Sequence, residues 1–322
     1  MLADTTTITT IVREIPADLE TPTGLYLKLR GQGPSFLLES VEGGERVARY
    51  SFVGVSPQAE YILRGNEVEV VEGNRRHVLM LDPGADPTHF LHAELRRFQS
   101  APQAGLPRFI GGLVGYLGYE AVRYFEPTLD PKLRPPALPD GIFLLADTVV
   151  AFDHARRSLF LIANVLDGDP ESANRKLDDI TERIRQPVPP AVRPASRSAS
   201  AGSNLTKWEF ERRVKSAKEH VAAGDIFQVV ISQRFSRETE AEPFDVYRAV
   251  RRLNPSPYMF YIDFGMIDHQ PLVLVGSSPE VFARLEGRTA SLRPIAGTRP
   301  RGTDGAADAA LAQELLADPK ER

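Results

Sequence analysis

A segment rich in proline, serine and alanine separates two stretches of ordinary globular composition. Residues Gln186–Ser203 read QPVPPAVRPASRSASAGS, and Val188 and Val192 are the only larger apolar side chains. Such a segment buries too little apolar surface to offset the entropy lost on ordering. The composition therefore favours a domain at residues 1–185, a linker at 186–203 and a second domain at 204–322. An ordered surface loop is the alternative.

Length and composition narrow the class of protein. The 322 residues suggest about two domains at roughly 150 residues each. Apolar residues make up 42% of the chain, and the net charge of −4 is spread along it, which predicts no nucleic-acid partner. The absence of cysteine excludes disulfides, thiolate zinc sites and a cysteine nucleophile. No apolar run approaches the roughly 18 residues of a membrane span, so we expect a cytoplasmic protein without a membrane partner.

The first domain has the pattern of a strand-rich α/β unit. Strand-forming runs, separated by turn residues, are Ser35–Glu39, Tyr61–Val71, Phe143–Phe152 and Leu159–Val165. Apolar residues recur at helical spacing over Phe90–Phe98 and Ser172–Ile184.

Local signals are sharper in the second domain. Thr206 and Glu209 form a capping box that begins a helix, and Gly224 ends it. Ile226–Phe235 alternates in the manner of a strand, with Gln228 on its polar face. The remaining expected elements are the helices Pro243–Leu253 and Thr303–Ala317 and the strands Tyr258–Phe264, Leu272–Val275, Val281–Leu285 and Ala290–Ile295.

One segment, Arg293–Gly302, concentrates residues that suit an anion site. It reads RPIAGTRPRG, with glycines that permit close approach of a ligand, the Thr298 hydroxyl and three arginines. Backbone N–H groups in such a turn can bind a carboxylate or a phosphate. A structural loop that leaves a strand is the alternative, and the Lys-Ser/Thr of a Walker A loop is absent.

Other segments carry weaker signals for a ligand site. The Glu39-Ser40 pair ends a strand, and Asn254–Phe260 is a rigid turn that leads into aromatic residues. Together they would line a small-ligand pocket. The alternative is that each has only a structural role, one as part of the core and the other as a turn. The glycine-rich stretch Gly111–Glu120 lacks the strand–loop–helix order of a dinucleotide site, and His89 with His92 has no third metal ligand nearby.

The last residues carry a helix-start signal. Asp318 suits the N-cap and Pro319 the first helical position, with Glu321 in the first turn, yet the chain stops at Arg322. We therefore expect the sequence to belong to a larger protein; a frayed tail is the alternative.

Six long motifs, in the same order, resemble the chorismate-utilising enzymes. They are LLESVEGGERVARYSFVG, GGLVGYLGYEAVRYFE, GDIFQVVISQRF, NPSPYMFYIDFG, LVGSSPEVFARLEG and RPIAGTRPRG. Within that family the resemblance is to anthranilate synthase component I. It implies an α/β (α+β) fold of layered antiparallel sheets with outer helices, in two subdomains, from which the C-terminal part is missing here.

The resemblance implies how the site would work. Relatives that use water or a covalent lysine carry a lysine where this chain has Gln228 or Ala296. An amide or a methyl group can act neither as a general base nor as a nucleophile, which favours ammonia as the nucleophile. Gln228 would lie near the ammonia, Gly297 and Thr298 would bind chorismate, and Mg²⁺ would bind the substrate carboxylate.

The resemblance also implies a regulatory pocket for L-tryptophan and a partner. The pocket residues map onto Leu38, Glu39, Ser40, Asn254, Pro257, Tyr258 and Met259. Glu39 would pair with the α-ammonium group of tryptophan. A glutamine amidotransferase subunit, component II, would supply the ammonia.

The family continues beyond this chain with most of its Mg²⁺ ligands, and only Glu321 of that set falls within it. The resemblance therefore implies an anthranilate synthase large subunit whose 322-residue chain is incomplete and inactive alone. The alternatives are aminodeoxychorismate synthase component I and a non-catalytic tryptophan-binding fragment.

Overall fold

Antiparallel strands make up most of the structure. The computed structural model describes residues 8–40, 49–96, 103, 105–132, 137–166, 169–190, 200–292 and 297–319. The chain divides into a first unit, Met1–Pro189 with Tyr247–Arg322, and a second unit, Pro190–Val246. The domain boundaries given by the linker composition stay a prediction.

The strands are β1 (Thr9–Pro16), β2 (Ser35–Glu39), β3 (Tyr50–Val55), β4 (Ala59–Arg64), β5 (Glu67–Glu72), β6 (Arg75–Met80), β7 (Gly112–Leu117), β8 (Gly141–Ala146), β9 (Thr148–Asp153), β10 (Ser158–Val165), β11 (Gly202–Ser203), β12 (Phe235–Ser236), β13 (Tyr258–Ile267), β14 (Gln270–Ser278), β15 (Arg284–Glu286) and β16 (Thr289–Ser291). The α-helices are α1 (Pro22–Leu29), α2 (Pro87–Arg96), α3 (Pro170–Arg185), α4 (Lys207–Ala223), α5 (Pro243–Leu253) and α6 (Gly305–Ala317), and two 3₁₀ helices cover Tyr119–Tyr124 and Pro127–Lys132.

Two antiparallel sheets that pack face to face form the core of the first unit. One has seven strands in the order β1-β10-β9-β3-β2-β13-β14, and the other has five in the order β6-β5-β4-β8-β7. Side chains from both sheets share one apolar core, with Phe36 and Phe264 from the first and Ile142 and Leu144 from the second. Such a core is the expected result when each sheet has one apolar face to bury.

Helices cover the outer faces of the two sheets. Helices α1 and α3 contact the seven-stranded sheet, and Leu91 of α2 packs on Val68 and Val70 of the five-stranded sheet. Strand β10 is therefore buried along its whole length, which explains its continuous apolar sequence. The expected fold of layered antiparallel sheets with outer helices is confirmed.

Most elements expected in the first unit are present, with some different bounds. The run Phe143–Phe152 is broken at Asp147, because β8 belongs to the five-stranded sheet and β9 to the seven-stranded one. The strand expected at Val281–Leu285 is replaced by β15 at Arg284–Glu286, and the strand expected at Ala290–Ile295 corresponds, within the described residues, to β16. Residues 293–296, which include Ala296, lie outside the described residues.

The second unit contains α4 and one two-residue strand pair, β11 with β12. The helix begins and ends as expected. The Thr206 hydroxyl and the Glu209 carboxylate cap each other's backbone N–H groups, and Gly224 adopts a left-handed φ of 82°. The prediction of a strand at Ile226–Phe235 is wrong except at its last residue. The sequence alternates between apolar and polar residues, but among the described residues no strand pairs with Ile226–Arg234. In the described part of the chain, no helix is both long and apolar enough to cross a membrane.

Candidate functional site

The end of β2 lies beside the turn that precedes β13. The two strands pair in antiparallel register, with Glu39 opposite Met259 and Leu38 opposite Phe260. Two clusters more than 200 residues apart in sequence therefore meet where β2 ends and β13 begins. All seven residues of the expected tryptophan pocket belong to these two segments.

The turn itself is fixed by hydrogen bonds from its surroundings. Helix α5 ends at Leu253, and the Asn254 N–H donates to the Val250 carbonyl at 2.8 Å. The Ser277 hydroxyl on β14 lies 2.5 Å from the Asn254 carbonyl and 2.7 Å from the Ser256 hydroxyl. Pro257 restricts the backbone further, so the turn is a rigid wall.

Side chains at the end of β2 alternate between the two faces of the sheet. Leu38 packs against the apolar core between the sheets, as does Phe36 two residues earlier. Glu39 and Met259 lie on the opposite face and are buried. The Ser40 Oγ atom is buried without a hydrogen-bond partner. A buried hydroxyl without a partner costs free energy, and it marks a place where a ligand or water would bind.

The Glu39 carboxylate is held by two side chains of α5. Arg251 donates from Nε to Oε2 at 2.9 Å and from Nη2 to Oε1 at 3.0 Å, and the Tyr247 hydroxyl donates to Oε2. The Glu39 side chain is 1% exposed and the Arg251 side chain 33%. Burial opposes the charge on Arg251, but the hydrogen bonds and charge of Glu39 outweigh it and raise the pKa of Arg251. Burial, followed by the Glu39 charge, raises the pKa of the Tyr247 hydroxyl.

Tyr247 and Arg251 were not among the residues expected from sequence. The one available signal was their i, i+4 spacing on α5, which places both on one helix face next to the turn at Asn254. Tyr247 also stacks edge-on against Tyr261 of β13, with ring centroids 5.9 Å apart. The face of β2 and β13 that carries Glu39 is therefore a packed polar and aromatic layer under α5.

The segment expected to bind chorismate lies before α6. Gly297 is half-buried and Thr298 exposed. Arg299 pairs with Glu314 and Asp318, at 3.1 and 2.9 Å. This ion-pair network anchors the segment to α6.

A second ion pair follows in the same segment. Arg301 pairs with Asp308 at 2.7 Å, and that carboxylate also accepts the Gly302 N–H at 2.8 Å. Two of the three arginines of RPIAGTRPRG are thus neutralised by α6, and Arg293 lies outside the described residues.

Gln228 lies in the second unit, in a stretch whose side chains are mostly exposed. Phe227 is 95% exposed and Val230 is 83% exposed. Next to this stretch, a cavity of about 420 Å³ is lined by Arg213 and His220 of α4 and by Ile226, Val229 and Ile231. Gln228 is not among its lining residues.

The described residues contain no group of three or more histidine, aspartate or glutamate side chains that would hold a metal ion. Glu321, the expected Mg²⁺ ligand, lies outside them. His89 and His92 are both exposed on α2.

Comparison with known proteins identifies the family. Residues 33–322 match the chorismate binding enzymes. The chain belongs to this family. It is 40% identical to anthranilate synthase component 1 of Pseudomonas putida, over 96% of this chain and 63% of that protein. It is 41% identical to the Streptomyces coelicolor protein of the same name, over 96% of this chain and 58% of the relative.

A solved structure agrees with the sequence comparisons. Anthranilate synthase component I from Streptococcus pneumoniae aligns with a TM-score of 0.67 and 27% identity. The alignment covers 95% of this chain and 64% of the pneumococcal one. The chain thus spans 58% to 63% of the length of the two curated relatives above.

Proposed function

We propose that this chain provides the tryptophan-binding part and a portion of the chorismate-binding part of an anthranilate synthase component I. The reaction joins chorismate and ammonia to give anthranilate, pyruvate and water. A glutamine amidotransferase, component II, supplies the ammonia, and L-tryptophan inhibits. Identity of 40% over 96% of the chain to proteins named anthranilate synthase component 1 supports this reading.

The observation that carries the regulatory half of the proposal is the meeting of β2 with the 254–259 turn. Leu38, Tyr258 and the fixed turn supply apolar and rigid walls, and the buried Ser40 hydroxyl lacks a partner. An apolar pocket with few polar groups is the usual design of a small-ligand site. An indole ring with one polar contact fits that description.

The part of the proposal that concerns the reaction rests on the absence of a lysine at two positions. Neither Gln228 nor Ala296 can take a proton or attack a carbon atom, so neither supplies a base or a covalent nucleophile. Ammonia is then the nucleophile at C2 of chorismate, the 4-hydroxyl leaves as water, and elimination of pyruvate makes the ring aromatic. In this proposal Gly297 and Thr298 bind the substrate, and Gln228 lies near the ammonia.

Magnesium stays a prediction. The described residues supply no ligand set for it. Because the chain spans about 63% of its relatives' length, we propose that turnover requires the additional length that those relatives possess.

The test is an assay of products from chorismate, ammonium and Mg²⁺, separated by chromatography. The chain alone is compared with the chain joined in frame to the part of the Pseudomonas putida relative that the match leaves uncovered. We expect anthranilate only from the joined protein, and less from its Thr298→Ala variant. Anthranilate from the chain alone would contradict the need for further length. Aminodeoxychorismate from the joined protein would favour that synthase instead.

A further inference from the structure

The structure gives Glu39 a different role from the one expected of a ligand's counter-ion. Its carboxylate already accepts hydrogen bonds from Arg251 at 2.9 and 3.0 Å and another from Tyr247. With 1% of the side chain exposed, it has almost no surface to offer a ligand. The negative charge of Glu39 is therefore neutralised within the chain.

Strand geometry separates Glu39 from the expected ligand. Successive side chains of a strand point to opposite faces of the sheet. Leu38 packs into the core between the sheets, whereas Glu39 lies with Met259 under α5. Continuing the alternation by one position assigns Ser40, the residue that follows β2, to the face of Leu38. A ligand that contacts the Ser40 hydroxyl has the sheet between itself and the Glu39 carboxylate.

Glu39, Arg251 and Tyr247 connect the two segments that line the proposed pocket, the end of β2 and the 254–259 turn. Arg251 lies three residues before Asn254, on the helix that runs directly into the 254–259 turn. Glu39 lies next to Ser40 at the end of β2. Their buried, charge-assisted hydrogen bonds therefore fix the end of the strand against the start of the turn. Tyr247 adds its hydroxyl, and its ring packs on Tyr261 in β13.

We propose that Glu39, Arg251 and Tyr247 form a clamp that positions the tryptophan pocket without touching the ligand's ammonium group. This inference rests on the proposed tryptophan binding. It makes all three positioning residues, whose loss widens the pocket for any ligand that occupies it. Arg251 and Tyr247 then determine inhibitor affinity as strongly as a residue in the pocket wall.

The test uses two ligands that differ in the ammonium group alone. L-tryptophan and indole-3-propionate, which lacks the α-amino group, are titrated into the wild-type chain and into Glu39→Gln, Arg251→Gln and Tyr247→Phe. We expect each variant to lose about tenfold in affinity for both ligands, with the ratio of the two affinities unchanged. The double variant Glu39→Gln/Arg251→Gln should bind no more weakly than either single variant, because both remove one coupled interaction.

Two controls separate positioning from general damage. Arg252→Gln changes the adjacent, exposed arginine of α5 and should leave both affinities unchanged. Tyr247→Phe keeps the buried ring and removes only the hydroxyl, so it reports on the clamp even if the charge variants fold poorly. Amide hydrogen exchange should speed up in residues 254–259 of Tyr247→Phe and stay unchanged in α3.

Several results would overturn the proposal. If Glu39→Gln abolishes the preference for L-tryptophan over indole-3-propionate, Glu39 is the counter-ion and the clamp is wrong. Unchanged affinities in all three variants would exclude a positioning role. A folded wild-type chain that binds no tryptophan would refute the proposed pocket; unchanged exchange in residues 254–259 of Tyr247→Phe would refute the clamp separately.

Discussion

Removing Arg251 should expose the energetic cost of burying Glu39. The variant Arg251→Met keeps much of the side-chain volume but leaves the carboxylate with no cation. Removing one partner of a buried ion pair lowers the free energy of unfolding by about 3–5 kcal/mol. Because Arg251 is one-third exposed and Tyr247 still donates, we expect a loss of about 2–4 kcal/mol in the free energy of unfolding at pH 8.

Urea denaturation followed by far-UV circular dichroism measures this directly. Arg252→Met, at the exposed neighbouring position, should change the free energy of unfolding by less than about 0.5 kcal/mol. Adding Glu39→Gln to Arg251→Met removes the stranded charge and should recover more than about 1 kcal/mol. A deficit below about 1 kcal/mol for Arg251→Met would refute the reasoning.

Three further predictions concern other parts of the fold. Burial raises the pKa of Glu60 to about 7. The free energy of unfolding of the wild type should therefore decrease as the pH rises from about 4.5 to 7. Urea denaturation across that range should show no such decrease for Glu60→Gln. An added Cβ at Gly115 would lie 1.9 Å from the Ile142 carbonyl oxygen. Gly115→Ala should therefore lower the thermal midpoint markedly, through a cost of about 2 kcal/mol or more, whereas Gly31→Ala, with no atom within 4 Å of its Cβ, should not. Thr206→Ala removes the cap of α4 and should cost about 1 kcal/mol of helix stability, seen as faster amide exchange in the first turn of that helix; unchanged exchange would contradict the capping assignment.

Local signals predicted the elements whose causes are local. The capping box at Thr206 and the left-handed Gly224 fix α4 from within the helix itself. These features need no distant partner, so sequence alone is sufficient.

Features that depend on a distant partner were not predictable in the same way. Ile226–Phe235 alternates as strands do, but a strand also needs a neighbouring strand, and only its last residue has one in the described chain. The break at Asp147 follows from a change of sheet that neighbouring residues do not encode.

Glu39 shows the same limit at the candidate site. Its position next to Ser40 suggested a ligand contact, and the family resemblance predicted which segments meet. In the structure its carboxylate accepts hydrogen bonds from Arg251, which is 212 residues away in sequence. Only the register of β2 with β13, together with the placement of α5, shows which face the carboxylate occupies and what neutralises it.

Calorimetric titration of the wild-type chain with L-tryptophan, with D-tryptophan as the control, tests the proposed regulatory pocket most directly. We expect one molecule of L-tryptophan to bind per chain, with D-tryptophan much weaker, because the proposed pocket, lined by Ser40 and the 254–259 turn, is rigid and chiral. A chain shown by circular dichroism to be folded that binds neither enantiomer would contradict that pocket.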